Sequence, residues 1–201
     1  MKRVIACFLA TALLLGPTGG GAADTAPDAL VKSVTDEVLA IIKDNKDPQM
    51  LRTLAEQKVL PHFDFEQMTQ LAAGRIWREA SASQQQSLVN SFRSLLVNTY
   101  VAALSRNAAS TKAVEVKPMP RSAAQGEALV KTLVTESGKP PIGIDYRMAS
   151  SGTGWKVVDV TIENVSLVTN YRSTFSQEAA RSGIDGLIKA LEDKSRTPAK
   201  G

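Results

Sequence analysis

Acid–base, nucleophilic or metal chemistry would have to come from very few residues here. His62 is the only histidine and Cys7 the only cysteine in 201 residues. Cys7 sits in an N-terminal leader, so what remains after cleavage offers neither a thiol nucleophile nor a zinc site of two or more histidine or cysteine ligands. No serine stands in a Gly-x-Ser-x-Gly elbow, and the glycines form neither a phosphate loop nor a dinucleotide fingerprint. His62, between Pro61 and Phe63, is either an acid–base group or a structural histidine at an elbow. Asp159 lies in the apolar run Val157–Val160. It is either a base with a raised pKa or a ladder carboxylate paired across a sheet with Arg147 or Lys131.

The element carrying Asp159 is Trp155–Phe175, WKVVDVTIENVSLVTNYRSTF. Its first half alternates: Val158, Val160 and Ile162 point one way, Val157, Asp159, Thr161 and Glu163 the other. Its second half recurs at three and four residues through Leu167, Val168, Tyr171 and Phe175, a helix stripe. Asn164 or Ser166 is placed to cap that helix. A strand, a sharp turn and a helix with two aromatics on one face are therefore expected.

Lys2-Arg3, the apolar run Val4–Leu15, Gly16-Pro17 and then Gly21-Ala22-Ala23 read as a cleavable signal peptide over 1–23. A lipidated Cys7 is disfavoured, because no apolar run precedes it. The expected division is a signal peptide at 1–23, one α+β domain at 24–195 and a polar tail at 196–201. Taking Lys2 and Arg3 from the 24 basic residues leaves 22 against 20 acidic ones, with no concentrated basic face for nucleic acid.

Leu30, Val34, Val38, Ile41 and Ile42 form an amphipathic helix, and a second runs from about Gln49 to Leu60, ended by Pro61. A short helix with Met68 and Leu71 closes near Gly74. Ser83-Gln84-Gln85-Gln86 reads as a capping box opening the longest helix, to about Ser105. Its apolar face holds Leu88, Phe92, Leu95, Leu96 and Tyr100, leaving Gln86, Asn90, Arg93 and Ser94 for solvent; it is expected to lie across the sheet. Strands follow from about Thr111 to Lys117, ended by Pro118-Met119-Pro120, then at Ala128–Glu136, Ile142–Met148 and from Trp155, with turn-forming Ser137–Pro141 and Ser150–Gly154 between the later ones. Gly183 ends one helix before a last one bearing Ile184, Leu187, Ile188 and Leu191. Helices, then four strands joined by short turns, then helices give an α+β domain with an antiparallel sheet covered on one face.

The apolar sheet face expected is Val130, Val134, Ile144, Tyr146, Met148, Val158, Val160 and Ile162. The helices set Leu95, Leu96, Tyr100, Leu167, Tyr171 and Phe175 against it. Periodicity alone does not separate a filled core from a cavity.

The chain resembles the MlaC family, the auxiliary component of the toluene-tolerance ABC transporter. The likeness is most specific at Trp155–Val160, Val165–Val168, Asn170–Arg172, Phe175 and Gly183–Leu187. It extends to Phe63-Asp64-Phe65 and the Phe92, Leu96, Tyr100, Leu104 helix. The resemblance implies a curved four-stranded antiparallel sheet covered by helices on one face, a nuclear-transport-factor-2-like roll. It implies a monomeric periplasmic phospholipid carrier that is not an enzyme and needs no cofactor or metal, phospholipid being the transported ligand. The partners implied are an inner-membrane ABC transporter complex with its lipid-binding component and an outer-membrane lipoprotein–porin complex, the task being outer-membrane lipid asymmetry. Acyl chains would be lined by Leu96, Tyr100, Val130, Val134, Ile144, Tyr146, Met148, Val158, Val160, Ile162, Leu167, Tyr171 and Phe175. At about 0.8 kcal/mol per methylene, two chains of roughly 16 carbons cost on the order of 25 kcal/mol to expose, so they must be enclosed. Two other readings stand beside it: an enzyme on a small hydrophobic substrate using Asp159 or His62 with Tyr146, and a lipid-free interaction module.

Overall fold

A computed structural model of the chain describes residues 25–44, 47–107, 110–117, 126–152 and 154–196. The expected signal peptide lies outside the described residues, as do tail residues 197–201. Helix α1 (Pro27–Asp44) has proline and Asp28 in its first turn, where a missing N–H costs nothing and a negative charge meets the positive helix end. Helix α2 (Pro48–Leu54) is capped by the Asp47 carboxylate, which accepts from Gln49 N at 2.9 Å. It then loosens into a π turn at Ala55–Val59 and tightens into a 3-10 turn at Leu60–His62. The single helix expected up to Pro61 is thus broken into three pitches. Ile42, Leu51 and Leu54 join α1 to α2 in a small apolar cluster.

Helix α3 (Phe65–Ala73) is capped by Asp64, and Gly74, at φ 55°, turns the chain sharply into α4 (Arg75–Glu79). Helix α5 (Ala82–Asn107) does open with a capping box, but two residues before the expected one. Ser81 Oγ accepts from Gln84 N (3.3 Å), and Gln84 Oε1 accepts from Ser81 N (3.0 Å). The sequence Ser-Ala-Ser-Gln-Gln-Gln offers two such spacings, and the earlier serine takes the role. Gln86, Asn90, Arg93 and Ser94 face solvent as expected. The expected crossing of the sheet is corrected: among the described residues α5 packs along α6 and α3, and only Tyr100 reaches the sheet side.

The sheet is antiparallel in the order β1-β2-β3-β4-β5: Thr111–Val116, Glu127–Glu136, Ile142–Ser151, Gly154–Ile162 and Val165–Ser166. The fifth, two-residue strand follows a tight turn in which Glu163 (φ 48°) and Asn164 (φ 65°) both adopt the left-handed conformation that two-residue hairpins require. A bulge between Arg147 and Met148 pairs Met148 with Val157 but Arg147 with Asp159, leaving Val158 as the extra residue. Bulges bend and twist a sheet, and this one shifts the phase of β4. Helix α6 (Leu167–Arg196) runs back over α3 and α5 and kinks at Gly183 (φ 72°), where one helix was expected to end and another to begin. No helix among the described residues is long and apolar enough to cross a membrane.

Candidate functional site

Ladder register fixes which side chains share the sheet's inner face. From β2 come Ala128, Val130, Thr132 and Val134; they stand opposite Met148, Tyr146, Ile144 and Ile142 of β3. From β4 come Trp155, Val157, Val160 and Ile162. The expected row of Val158, Val160 and Ile162 is therefore corrected. The bulge moves Val158 out of the row and puts Val157 into it. A run such as Val-Val-Asp-Val conceals this shift, because apolar residues occupy both phases.

Two apolar bodies result. One is purely helical: Met68, Ala72, Leu88, Phe92, Leu95, Leu96, Val168, Phe175, Leu187 and Leu191 are all buried. Phe92 stands edge-on to Tyr171 (5.0 Å between centroids) and to Phe175 (5.1 Å), which closes that body with aromatic contacts. The other is the sheet wall, in which Val130, Met148, Val157, Val160 and Leu167 are buried with Val31 of α1. Ile144, Tyr146, Trp155 and Ile162, on the same inward wall, keep part of their surface accessible. Phe63 and Tyr100 pack against both bodies and form the seam between them. Phe63 is held there because its backbone bridges to Val157, and Asp64 N donates to Val157 O at 2.9 Å.

Of the thirteen residues singled out from sequence, Val130, Ile144, Tyr146, Met148, Val160, Ile162, Leu167 and Tyr100 come together at the wall. Val134 shares its face by register. Leu96 and Phe175 are instead buried in the helical body, with Tyr171 packed on it. They are not set above Val160 and Ile162 as expected. Helical periodicity marks a buried stripe but does not say which neighbour the stripe meets. Trp155, Val157, Phe63 and Thr132 were missed; knowledge of the bulge would have recovered the first two.

The wall carries one polar feature. Thr132 is buried and its hydroxyl donates to Ile144 O at 2.7 Å. Burial pushes the Tyr146 hydroxyl above the usual tyrosine range, opposed by a hydrogen bond with Thr132. Burial, reinforced by the neighbouring Tyr171, pushes Tyr100 up to about 12. Burial also raises Tyr171, so all three tyrosines are shifted in the direction that favours the neutral hydroxyl.

Asp159 has a structural occupation. Its Oδ2 accepts from Ser166 Oγ at 2.6 Å and its Oδ1 from Val168 N at 3.1 Å. Ser166 Oγ in turn accepts from Thr169 N at 3.0 Å, so Ser166 is the cap and Asp159 braces it. Arg147 stands opposite Asp159 in the ladder as expected, but the carboxylate bonds to the start of α6, and Lys131 meets Asp145 (3.8 Å) instead. The tight hairpin at Glu163-Asn164 folds Ser166 back within reach. His62 sits at the elbow before Phe63; burial and the charge of Lys156 lower its pKa, against a raising effect of Glu37. Among the described residues no cluster of histidine, cysteine, aspartate or glutamate could hold a metal ion.

These elements define an α+β roll: an open antiparallel sheet whose bulged, apolar inner face meets a separately packed helical layer. The family model described as MlaC protein matches residues 32–193, and the chain belongs to that family. Across 96% of its length it is 23% identical to the intermembrane phospholipid transport system binding protein MlaC of Haemophilus influenzae, spanning 92% of that protein. It is also similar to a solved structure from Ralstonia solanacearum, described as a phospholipid-binding protein in complex with a phospholipid. That likeness has a TM-score of 0.78 and 35% identity, covering 89% of this chain and all of the other.

Proposed function

We propose that the protein is a periplasmic carrier whose sheet wall receives the acyl chains of a phospholipid. The observation that carries this reading is the apolar inner face of the sheet. Ile144, Tyr146, Trp155 and Ile162 point inward from the sheet, around buried Val130, Met148, Val157 and Val160, yet remain partly uncovered. Apolar side chains left in that state are stabilised by whatever apolar surface fills the space. A similar protein that holds a phospholipid supports the choice of ligand.

The carrier takes lipid through the periplasm between an outer-membrane lipoprotein–porin complex and an inner-membrane ABC transporter complex with its lipid-binding component, so maintaining outer-membrane lipid asymmetry. The name of the H. influenzae relative supports this setting, and the leader at residues 1–23 supplies the export signal. The protein is not an enzyme. The best acid–base candidate, Asp159, is committed to Ser166 and Val168. Net direction comes from the energised partner, because a carrier without a nucleotide site does no net work.

Acyl-labelled phospholipid in donor vesicles provides the test. Wild-type protein is expected to withdraw it stoichiometrically, and Val160→Trp, which fills the wall, to withdraw much less while staying folded. Uptake by neither protein, or equally by both, would overturn the assignment.

A further inference from the structure

We propose that a groove on the opposite layer, formed where α3, α4 and α6 meet, is a docking site for an acidic, apolar-bearing segment of a partner protein. Its volume is about 630 Å³, against about 460 Å³ for a separate trough between α5 and α6 on this layer. The two differ in chemistry. The α5–α6 trough mixes Asp185 and Glu192 with Lys189 and Arg196. The larger groove is lined by Arg75, Arg78 and Arg172 around Leu71 and Trp77, with no carboxylate among its lining residues.

The cations differ in how far they are engaged. Arg172 is spent locally: Nε (3.1 Å) and Nη2 (2.6 Å) both donate to Leu71 O at the end of α3, which fixes α6 to that wall. Arg75 pairs with Glu79 at 3.2 Å, its side chain 82% exposed. Arg78 is exposed and forms no ion pair among the described residues. The nearest carboxylate on α3, Glu66, accepts from Gln70 at 3.2 Å. The groove therefore presents positive charge that its own surroundings leave largely uncompensated.

The floor is rigid. Gln85 Nε2 donates to Trp77 O at 2.8 Å, tying α4 to α5, and Gly74 fixes the turn between α3 and α4. A preformed concavity binds with little ordering cost. Arginine and tryptophan are the side chains most enriched where binding energy concentrates. A bare inorganic anion would leave Leu71 and Trp77 unfilled. A bilayer is a poor fit as well, since Trp77 packs against the helical core and is not projected outward to insert. A peptide carrying carboxylates beside an apolar side chain satisfies both the charge and the floor.

Fluorescence anisotropy with a terminally blocked peptide of alternating glutamate and leucine around one phenylalanine tests this. A peptide with lysine for glutamate and vesicles containing phosphatidylglycerol serve as comparisons. The acidic peptide is expected to bind the full chain, more weakly as salt rises, and about tenfold less tightly to Arg78→Glu and to Arg75→Glu/Arg78→Glu. Both variants should keep the helical circular-dichroism signal and the vesicle lipid uptake of wild type, so this site and the sheet wall fail or stand separately. No acidic-peptide binding, equal binding of both peptides, or binding untouched by either variant overturns the proposal. So does arginine-dependent sedimentation with vesicles in the absence of peptide binding, which would make the groove a membrane contact.

Discussion

Replacing Asp159 separates a brace from a catalytic group. Asp159 is 7% exposed, and its carboxylate takes one O–H from Ser166 and one N–H from Val168 at the start of α6. Asp159→Ala removes both acceptors, leaves the Val168 N–H without its partner and weakens the Ser166 cap. Lost caps cost about 0.5–2 kcal/mol and hydrogen bonds to charged groups about 1.5–3, with overlap between the two here. A loss of about 2–4 kcal/mol is expected, equivalent to about 5–15 °C in Tm for a domain of this size. Asp159→Asn keeps an oxygen for Val168 but sets an amide donor against the Ser166 hydroxyl, so about 1–2 kcal/mol is expected. Urea denaturation followed by circular dichroism measures both. A double-mutant cycle with Ser166→Ala should return a coupling of about 1 kcal/mol or more. Folded Asp159→Asn should still take up phospholipid. Stability within about 0.5 kcal/mol of wild type in Asp159→Ala would refute the bracing role. Loss of a measurable turnover in Asp159→Asn at unchanged stability would refute it too, and point to an enzyme.

Phe175→Ala, in the closed helical body, should cost about 3–5 kcal/mol of stability and leave uptake by the folded fraction intact. Val160→Trp, at a buried position of the wall, should cost about 1–3 kcal/mol through overpacking and, unlike Phe175→Ala, also lower uptake per folded molecule. At pH about 10.5, where free tyrosine is mostly ionised, the folded protein should show less phenolate absorbance than the unfolded chain. The sign follows from linkage: with folded pKa values raised above 10.0, the unfolded chain releases protons first. The tyrosines' stabilising contribution, complete below pH 10, is therefore lost as pH rises above it, for Tyr100 as pH climbs toward about 12. Alkaline unfolding and phenolate absorbance should accordingly coincide. Gly183→Ala forces an L-residue to φ 72° and should destabilise by about 1–2 kcal/mol in the same urea assay.

The elements were legible in the sequence because each has a local cause. Alternation marked β1 to β4, Gly183 marked the kink of α6, and the change of period after Ile162 marked the turn at Glu163-Asn164. What was hidden was relational. The bulge that exchanges Val158 for Val157 depends on pairing with β3, and two apolar neighbours in sequence give no sign of it. The stripe of Leu96, Tyr171 and Phe175 was correctly apolar, yet it meets other helices and not the sheet. Asp159 does stand opposite Arg147 in the ladder, as alternation suggested, but its carboxylate is taken up elsewhere. Its bond to Ser166 exists because a two-residue hairpin returns the chain beside it.

The central claim is that the half-covered sheet wall holds a phospholipid. Native mass spectrometry of freshly purified protein, followed by lipid extraction, tests it most directly. The account predicts a species heavier than the polypeptide by the mass of a phospholipid, diminished in Val160→Trp. Protein that carries no such mass and acquires none after incubation with phospholipid vesicles would contradict it.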